Sequence, residues 1–249
     1  MTLERDGLGN QMFRWAANFG LAKSSGRQLG VLKGSDKNLK TYFPNLKNDR
    51  EISSRHQIKK EIVMPKKDCC ASFYPNLLEK TSCERFQFIY VLGFLNSYNQ
   101  IEKEVERILE SIKTNRSEGD LKFIGIHMRR RDFASSHVIK DLGANPASSN
   151  YFGKFQVIVI SDDPEWCHKR FPERNYIAVL PLLDRGVALA LLAKCQFTVI
   201  AAGGSTFGFW AAYLSWLYWE EPVIIYDKSS ITGRPFYFEN RFLPEWIAL

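Results

Sequence analysis

The sequence predicts an α/β protein whose C-terminal half is a doubly wound, mostly parallel sheet. Short apolar runs recur through residues 117–249, and helical patterns lie between several of them. The runs are apolar at consecutive positions, which is typical of parallel strands that are covered on both faces. Polar clusters directly follow three of the runs. Because ligands of a doubly wound sheet bind at the carboxyl ends of its strands, these clusters are the candidate site.

Length and composition favour a folded chain of one large domain or two small ones. Of its 249 residues, 45% are hydrophobic and 24% are charged, which excludes a disordered chain. The net charge of +7 suits nucleic acid, an acidic membrane surface or a phosphorylated small molecule, and a merely basic, solvated surface fits equally well.

Residues 1–116 form the predicted N-terminal half. Asn10 is a candidate N-cap for a helix over residues 11–25, and Gly26 suits the position just past its end. Residues 33–88 show no clean periodicity.

The clearest helical pattern covers residues 101–112, where Ile, Val and Leu recur at spacings of three and four between Glu and Lys. The polar connector at 114–120 follows it, and we expect the domain boundary there.

Residues 117–249 form the predicted C-terminal half. The five expected strands are 123–126, 157–160, 176–180, 197–200 and 222–226. Asp184 is a candidate N-cap for a helix over 187–194, and Ser205 or Thr206 for one over 207–219. We interpret the uncharged stretch 197–219 as strand, turn and helix rather than a membrane span, because Gly203-Gly204 interrupts it.

The first polar cluster is basic and follows the first of these strands. It reads His127-Met128-Arg129-Arg130-Arg131-Asp132. Guanidinium groups match phosphate oxygens, so the cluster is a candidate phosphate clamp, with a solvated basic turn as the alternative. In an extended segment, His127, Arg129 and Arg131 point to one side and Arg130 to the other.

The second cluster, Ser161-Asp162-Asp163-Pro164-Glu165-Trp166, is acidic. Its carboxylates suit a ribose, a base, a metal or a proton transfer, whereas Asp163 before Pro164 equally suits a helix start. No Asp-x-Asp pair occurs in the sequence, which disfavours a metal bound to a diphosphate.

The third cluster, Gly203-Gly204-Ser205-Thr206-Phe207-Gly208, combines small residues with a helix start. Free N–H groups and the positive end of the helix dipole favour an anion there, although a well-capped helix is a sufficient explanation. Beside the arginine cluster it predicts a two-sided diphosphate site.

Several segments, in order along the chain, resemble glycosyltransferase family 11, the α-1,2-fucosyltransferases. Residues 7–13 resemble the family's N-terminal glycine motif. Residues 125–133 resemble its His-x-Arg-Arg-Gly-Asp motif, and residues 205–214 resemble its Ser-Thr-Phe-Gly-Trp-Trp-Ala-Ala-Tyr-Leu helix almost residue for residue. Weaker similarities lie at 93–98, 161–163 and 242–246.

The resemblance implies a GT-B-like pair of Rossmann-like halves, with residues 1–116 on the acceptor side and 117–249 binding the donor. It implies inverting, metal-independent transfer of fucose from GDP-fucose to a galactoside hydroxyl, forming an α-1,2 linkage. It also implies a role in protein glycosylation in the Golgi, with membrane association only through an anchor that these residues do not contain. The glycosylation sequon Asn115-Arg116-Ser117 weakly favours a glycoprotein of the secretory pathway.

The resemblance also assigns roles to residues of all three clusters. Arg129 is the expected ligand of the β-phosphate, with Arg130 aiding the site or holding the loop, and Asp132 is the candidate base. His127 and Asp162 are expected at the nucleoside, and Ser205, Thr206 and Phe207 at the phosphates.

Three departures from the family pattern keep a second hypothesis open, a catalytically inactive homologue that binds nucleotide sugar or glycan. Arg131 replaces the family's usual Gly, the segment between Asp132 and Val157 is short, and the strand expected before Gly7 is missing. A nucleic-acid-binding module is disfavoured because the aromatic residues lie mainly in apolar runs rather than among Lys and Arg.

Overall fold

The structure, a computed structural model, describes nine parts of the chain. The described residues are 7–24, 26–44, 46, 50–53, 99–113, 121–130, 155–171, 174–227 and 242–249. The chain divides into two compact units, Met1–Tyr98 with Pro235–Leu243, and Asn99–Arg234 with Pro244–Leu249. The predicted connector at 114–120, Arg131 and Asp132 lie outside the described residues.

In the first unit, the described elements are two helices and a pair of parallel strands. They are α1 (Leu8–Ser24), β1 (Gly30–Leu32), α2 (Lys37–Tyr42) and β2 (Arg50–Ile52). The sequence predicted neither α2 nor β2, because residues 33–88 show no clean periodicity.

The first helix begins one turn earlier than the sequence predicted, so the Asn10 N-cap prediction is wrong. The N–H of Gln11 donates to the carbonyl of Gly7 at 3.1 Å, and Asn10 therefore lies inside α1. The prediction at the other end is confirmed, because Gly26 adopts a φ of 63°, the left-handed conformation that ends many helices.

The second unit alternates helices and strands from residue 99 onward. Its elements are α3 (Asn99–Lys113), β3 (Lys122–Met128), β4 (Phe155–Ser161), α4 (Pro164–Arg170), β5 (Ile177–Val179), α5 (Arg185–Ala193), β6 (Phe197–Ile200), α6 (Thr206–Tyr218), β7 (Val223–Tyr226) and β8 (Ile247–Ala248). The strands form one sheet in the order β5-β4-β3-β6-β7-β8, with every pair parallel. The predicted α/β class and the doubly wound sheet are confirmed.

All five predicted strands and the α3, α5 and α6 helices are present, with ends shifted by a few residues. Asp184 caps α5 and Ser205 caps α6, as predicted. The sequence did not predict β8, whose two residues are exposed at the edge of the sheet. Among the described helices, none combines the length and the apolar character that crossing a membrane requires.

The strand order creates a reversal point between β3 and β6. From β3 the chain adds β4 and β5 on one side, then returns to place β6 and β7 on the other. The register sets His127 opposite both Ile160 and Ile200, so the ends of three central strands lie side by side. Ligands of doubly wound sheets bind at such a reversal point.

Packing on the two faces of β3 fixes which way each of its side chains points. Ile126 and Met128 lie in the buried cluster with Cys167 of α4. Gly125 faces α5, because an added Cβ would lie 2.9 Å from Cδ2 of Leu192 in that helix and 2.9 Å from Sγ of Cys195, just past its end. The odd-numbered side chains therefore face the α5 and α6 side of the sheet.

Candidate active site

The three polar clusters of the sequence follow β4, β3 and β6, which are neighbours in the sheet. We call residues 161–166, from the end of β4 into α4, the acidic connection. We call residues 201–208, which lead from β6 into α6, the small-residue turn. Between them, β3 leads into the basic cluster. The prediction that these segments meet at one edge of the sheet is thus supported by strand order and register.

His127 is buried at the end of β3 and packs against the start of α6. Its ring centroid lies 5.3 Å from that of Phe207, and a Cβ on Gly208 would lie 2.8 Å from its Nδ1. Its carbonyl accepts a hydrogen bond from Ala201 N–H at 3.1 Å. The small-residue turn therefore begins directly beside the basic cluster.

Burial of the imidazole lowers the pKa of His127 to about 4. The nearby Asp162 carboxylate acts to raise this pKa and the Arg129 guanidinium acts to lower it, but burial dominates. The ring is therefore neutral at pH 7.

Arg129 and Arg130 are both partly buried and lie after the last residue of β3. The N–H of Arg130 donates to Oδ1 of Asp162 at 2.7 Å, and its guanidinium carbon lies 4.0 Å from the centroid of the Trp166 ring. Trp166 belongs to α4, on the side of the sheet opposite His127. Arg130 thus points away from the His127 side, as the alternation of an extended segment predicts.

Asp163 is the N-cap of α4, which confirms the capping interpretation of that residue. Its Oδ1 accepts a hydrogen bond from Trp166 N–H at 3.1 Å, and its own N–H donates to Oγ of Ser161 at 3.0 Å. Pro164 occupies the first turn, where its missing N–H costs nothing. The acidic connection is therefore a well-bonded loop, and Asp162 is its carboxylate toward the basic cluster.

Ser205 ends the small-residue turn by capping α6. Its Oγ accepts a hydrogen bond from Gly208 N–H at 3.2 Å, and its N–H donates to the carbonyl of Ala202 at 2.8 Å. The first N–H groups of a helix have no acceptor within it, so the backbone of Thr206 and Phe207 offers donors to an anion. The capping interaction leaves these backbone donors available, because it uses different atoms.

The structure therefore brings most of the predicted residues to one edge of the sheet. His127, Arg129 and Asp162 interact electrostatically, and Phe207 contacts His127. Arg130 contributes a backbone hydrogen bond and a stacked side chain on the other face. The proposed base, Asp132, lies outside the described residues.

Sequence reasoning placed Trp166 and Gly208 in the clusters but assigned neither a role of its own, and it missed Asp227. Trp166 carries the Arg130 side chain, and Gly208 leaves the space that the His127 ring fills. Asp227 is a buried carboxylate just past β7, and its N–H donates to the Ile200 carbonyl at 3.0 Å. The rule that selected the other clusters, a charge directly after an apolar run, was sufficient to find Asp227.

His, Cys, Asp and Glu are the side chains that ligate metal ions in proteins. Across the part of the chain that the structure describes, no three of them form a group that is able to hold a metal ion.

A sequence profile of glycosyl transferase family 11 matches residues 4–249. The chain belongs to this family. The prediction of a glycosyltransferase is thus confirmed at the level of the family, and the motifs at residues 7–13, 125–133 and 205–214 lie within the matched region.

The most similar curated proteins include mammalian enzymes of the same family. Galactoside 2-alpha-L-fucosyltransferase Sec1 of Mus musculus is 25% identical over 97% of this chain and 71% of its own length. Galactoside alpha-(1,2)-fucosyltransferase 2 of Oryctolagus cuniculus is 25% identical over 97% of this chain and 74% of its own length.

Among solved structures, fucosyltransferase NodZ from Bradyrhizobium aligns with a TM-score of 0.46 and 12% identity. The alignment covers 86% of this chain and 91% of that one.

Proposed function

We propose that this family 11 member transfers L-fucose from GDP-fucose to a galactoside hydroxyl, with inversion, without a metal and with an α-1,2 linkage. The fucose, the galactoside and the linkage are supported by family membership and by the names of the relatives, which are galactoside α-1,2-fucosyltransferases. The donor is the one that the family resemblance implies. In this proposal, residues 117–249 bind the donor, residues 1–116 lie on the acceptor side of a GT-B-like pair, and the galactoside belongs to a glycan processed in the Golgi.

The observation that carries the proposal is the meeting of the basic cluster with the first turn of α6 at the reversal point of the sheet. His127 contacts Phe207 at the start of α6. The alternation of side chains after β3 favours the same face of the sheet for the Arg129 guanidinium. Guanidinium groups and helix N-termini both favour phosphate oxygens, which suits the pyrophosphate of a nucleotide sugar.

The chemistry that this arrangement would perform is displacement at the anomeric carbon of fucose. GDP leaves as negative charge develops on its β-phosphate, and donors already in place stabilise that charge more in the transition state than before. We assign this role to Arg129 and to the backbone N–H groups of Thr206 and Phe207, with Ser205 as the cap that orients them.

The remaining predicted residues take supporting roles. Neutral His127 and the Asp162 carboxylate lie beside the phosphate ligands and are assigned to the nucleoside. Arg130 holds the loop, which its contacts with Asp162 and Trp166 favour over direct phosphate binding. Asp132 is the proposed base for the acceptor hydroxyl.

The first test is nucleotide selectivity, measured as thermal stabilisation by GDP, UDP and ADP. A ligand that binds only the folded protein raises its apparent stability, so we expect GDP to raise the melting temperature more than the other two. Equal shifts for all three nucleotides would contradict the assignment of a guanine nucleotide.

The second test is GDP release from GDP-fucose with and without a β-galactoside. We expect release to depend on the acceptor, to persist in EDTA, and to yield an anomeric configuration opposite to that of the donor, read by NMR. Strong GDP binding with no release would instead indicate the catalytically inactive homologue.

A further inference from the structure

The acidic connection holds Arg130 at two separate points. Oδ1 of Asp162 accepts its backbone N–H at 2.7 Å, and the ring of Trp166 lies under its guanidinium at 4.0 Å. A residue that is fixed at both its backbone and its side chain cannot rotate freely. The peptide bond that joins Arg130 to Arg129 is therefore fixed as well.

Trp166 is itself a firm support for this side chain. Its N–H donates to the Asp163 cap in the first turn of α4, and its ring packs against the buried cluster on that face of the sheet. Asp163 is in turn bonded to Ser161, the last residue of β4. The ring is thus tied to the same sheet that carries Arg130.

The alternation of side chains links this support to the phosphate site. In an extended segment, neighbouring side chains point to opposite sides. With Arg130 on the α4 side, Arg129 is directed to the side where His127 meets Phe207 and α6. The electrostatic interaction of Arg129 with His127 agrees with this direction.

We propose that Trp166 is a positioning residue for the donor-phosphate site, which acts through the stacked Arg130 to aim Arg129 at the start of α6. This inference rests on the function proposed above. A cation over a tryptophan face is attracted by the negative charge of the ring, and a phenylalanine ring retains part of that attraction.

The main experiment compares Trp166→Ala with Trp166→Phe. We expect Trp166→Ala to weaken GDP affinity about tenfold and to lower kcat for GDP release more than it raises KM, because a misaimed guanidinium stabilises the transition state less. Trp166→Phe should recover most of both. Equal losses in the two variants, or none in either, would overturn the proposal.

A matched control is Trp219→Ala, which removes a partly buried tryptophan at the far end of α6. We expect this variant to bind GDP as the unaltered protein does, even if it melts earlier. A tenfold loss of GDP affinity in Trp219→Ala would show that removal of any tryptophan weakens the site.

A double-mutant comparison with Arg129 distinguishes a positioning role of Trp166 from general destabilisation of the protein. If Trp166 acts through Arg129, then adding Trp166→Ala to Arg129→Ala should change GDP affinity less than about twofold. Additive losses would overturn the proposal, because they would mean that the two residues act independently.

An amide hydrogen-exchange measurement on Arg130 distinguishes failure of this inference from failure of the proposed function. If the unaltered protein does not bind GDP, the proposed function fails. Independently, we expect the Arg130 N–H to be protected and to exchange faster in Trp166→Ala. An exchange rate that Trp166→Ala leaves unchanged would overturn the positioning role of Trp166, whether or not GDP binds.

Discussion

The two connections that flank the end of β3 hold it by different physical means. The acidic connection uses directional polar contacts, the bond from Arg130 N–H to Asp162 and the stack on Trp166. The small-residue turn uses close packing, with the His127 ring against Phe207 and in the space beside Gly208. Arg129 lies between the two.

Because of this difference, we expect the acidic connection to be sensitive to loss of a charge or ring and the small-residue turn to be sensitive to added side-chain volume. Charge-assisted hydrogen bonds and cation–π contacts respond to removal of a charge or a ring, whereas a tightly packed contact responds to a single added methyl group. The predictions below test that expectation, starting with the largest expected effect.

Replacing Arg129 by Ala should remove the proposed ligand of the β-phosphate while leaving both connections intact. We expect kcat for GDP release to fall by about 10²–10³-fold, the usual cost of losing one donor that stabilises developing charge. The control is Arg107→Ala, which removes an exposed arginine of α3 that pairs with Glu104. Unchanged turnover in Arg129→Ala would remove the proposed clamp.

Acid should destabilise the packed side of the site through His127. Its pKa is about 4 in the folded protein against an ordinary value of 6.5, so the unfolded chain binds the proton first. Stability from this group is fully present above pH 6.5 and is lost as the pH falls toward 4, by about 3 kcal/mol in all. His127→Phe, which keeps a ring but cannot ionise, should flatten that part of the curve.

The check is the free energy of unfolding from denaturant titrations at several pH values. Other groups titrate in both proteins, so the difference between the two curves isolates His127. Parallel curves for the unaltered protein and His127→Phe would contradict the lowered pKa.

Gly208→Ala should disturb the small-residue turn, because its Cβ would lie 2.8 Å from Nδ1 of His127. We expect a loss of about 1–3 kcal/mol in stability, the usual cost of overpacking, together with weaker GDP binding as the start of α6 shifts. In Gly7→Ala, the control, the added methyl group meets no atom of the described residues within 4 Å. Normal stability and GDP affinity in Gly208→Ala would contradict this prediction, because they would show that the turn accommodates the added methyl group.

The smallest effect should come from the caps. Asp184→Ala and Asp163→Ala each remove a side chain that accepts N–H bonds at a helix start, and each should cost about 1 kcal/mol in stability. We expect only Asp163→Ala also to weaken GDP binding, since it loosens Trp166. Equal GDP affinity in the two variants would show that the α4 cap does not contribute to GDP binding.

Most of the second unit was predictable from local pattern. Apolar runs predicted the strands β3, β4, β5, β6 and β7. The capping residues Asp184 and Ser205 predicted the starts of α5 and α6. These signals succeed because a strand covered on both faces is apolar throughout, and a cap must supply its own acceptor. The Asn10 prediction failed because Gly7 already accepts the first helical bond of α1.

The sequence by itself determined the family, the three clusters at strand ends and the opposite directions of Arg130 and His127, because motifs and side-chain alternation are properties of the local chain. Only the tertiary structure decided that β4, β3 and β6 are neighbours, that Trp166 lies under Arg130, and that His127 occupies the space beside Gly208. Those contacts join residues that are tens of positions apart in the sequence. They depend on strand order and on packing across the sheet, which no local pattern encodes.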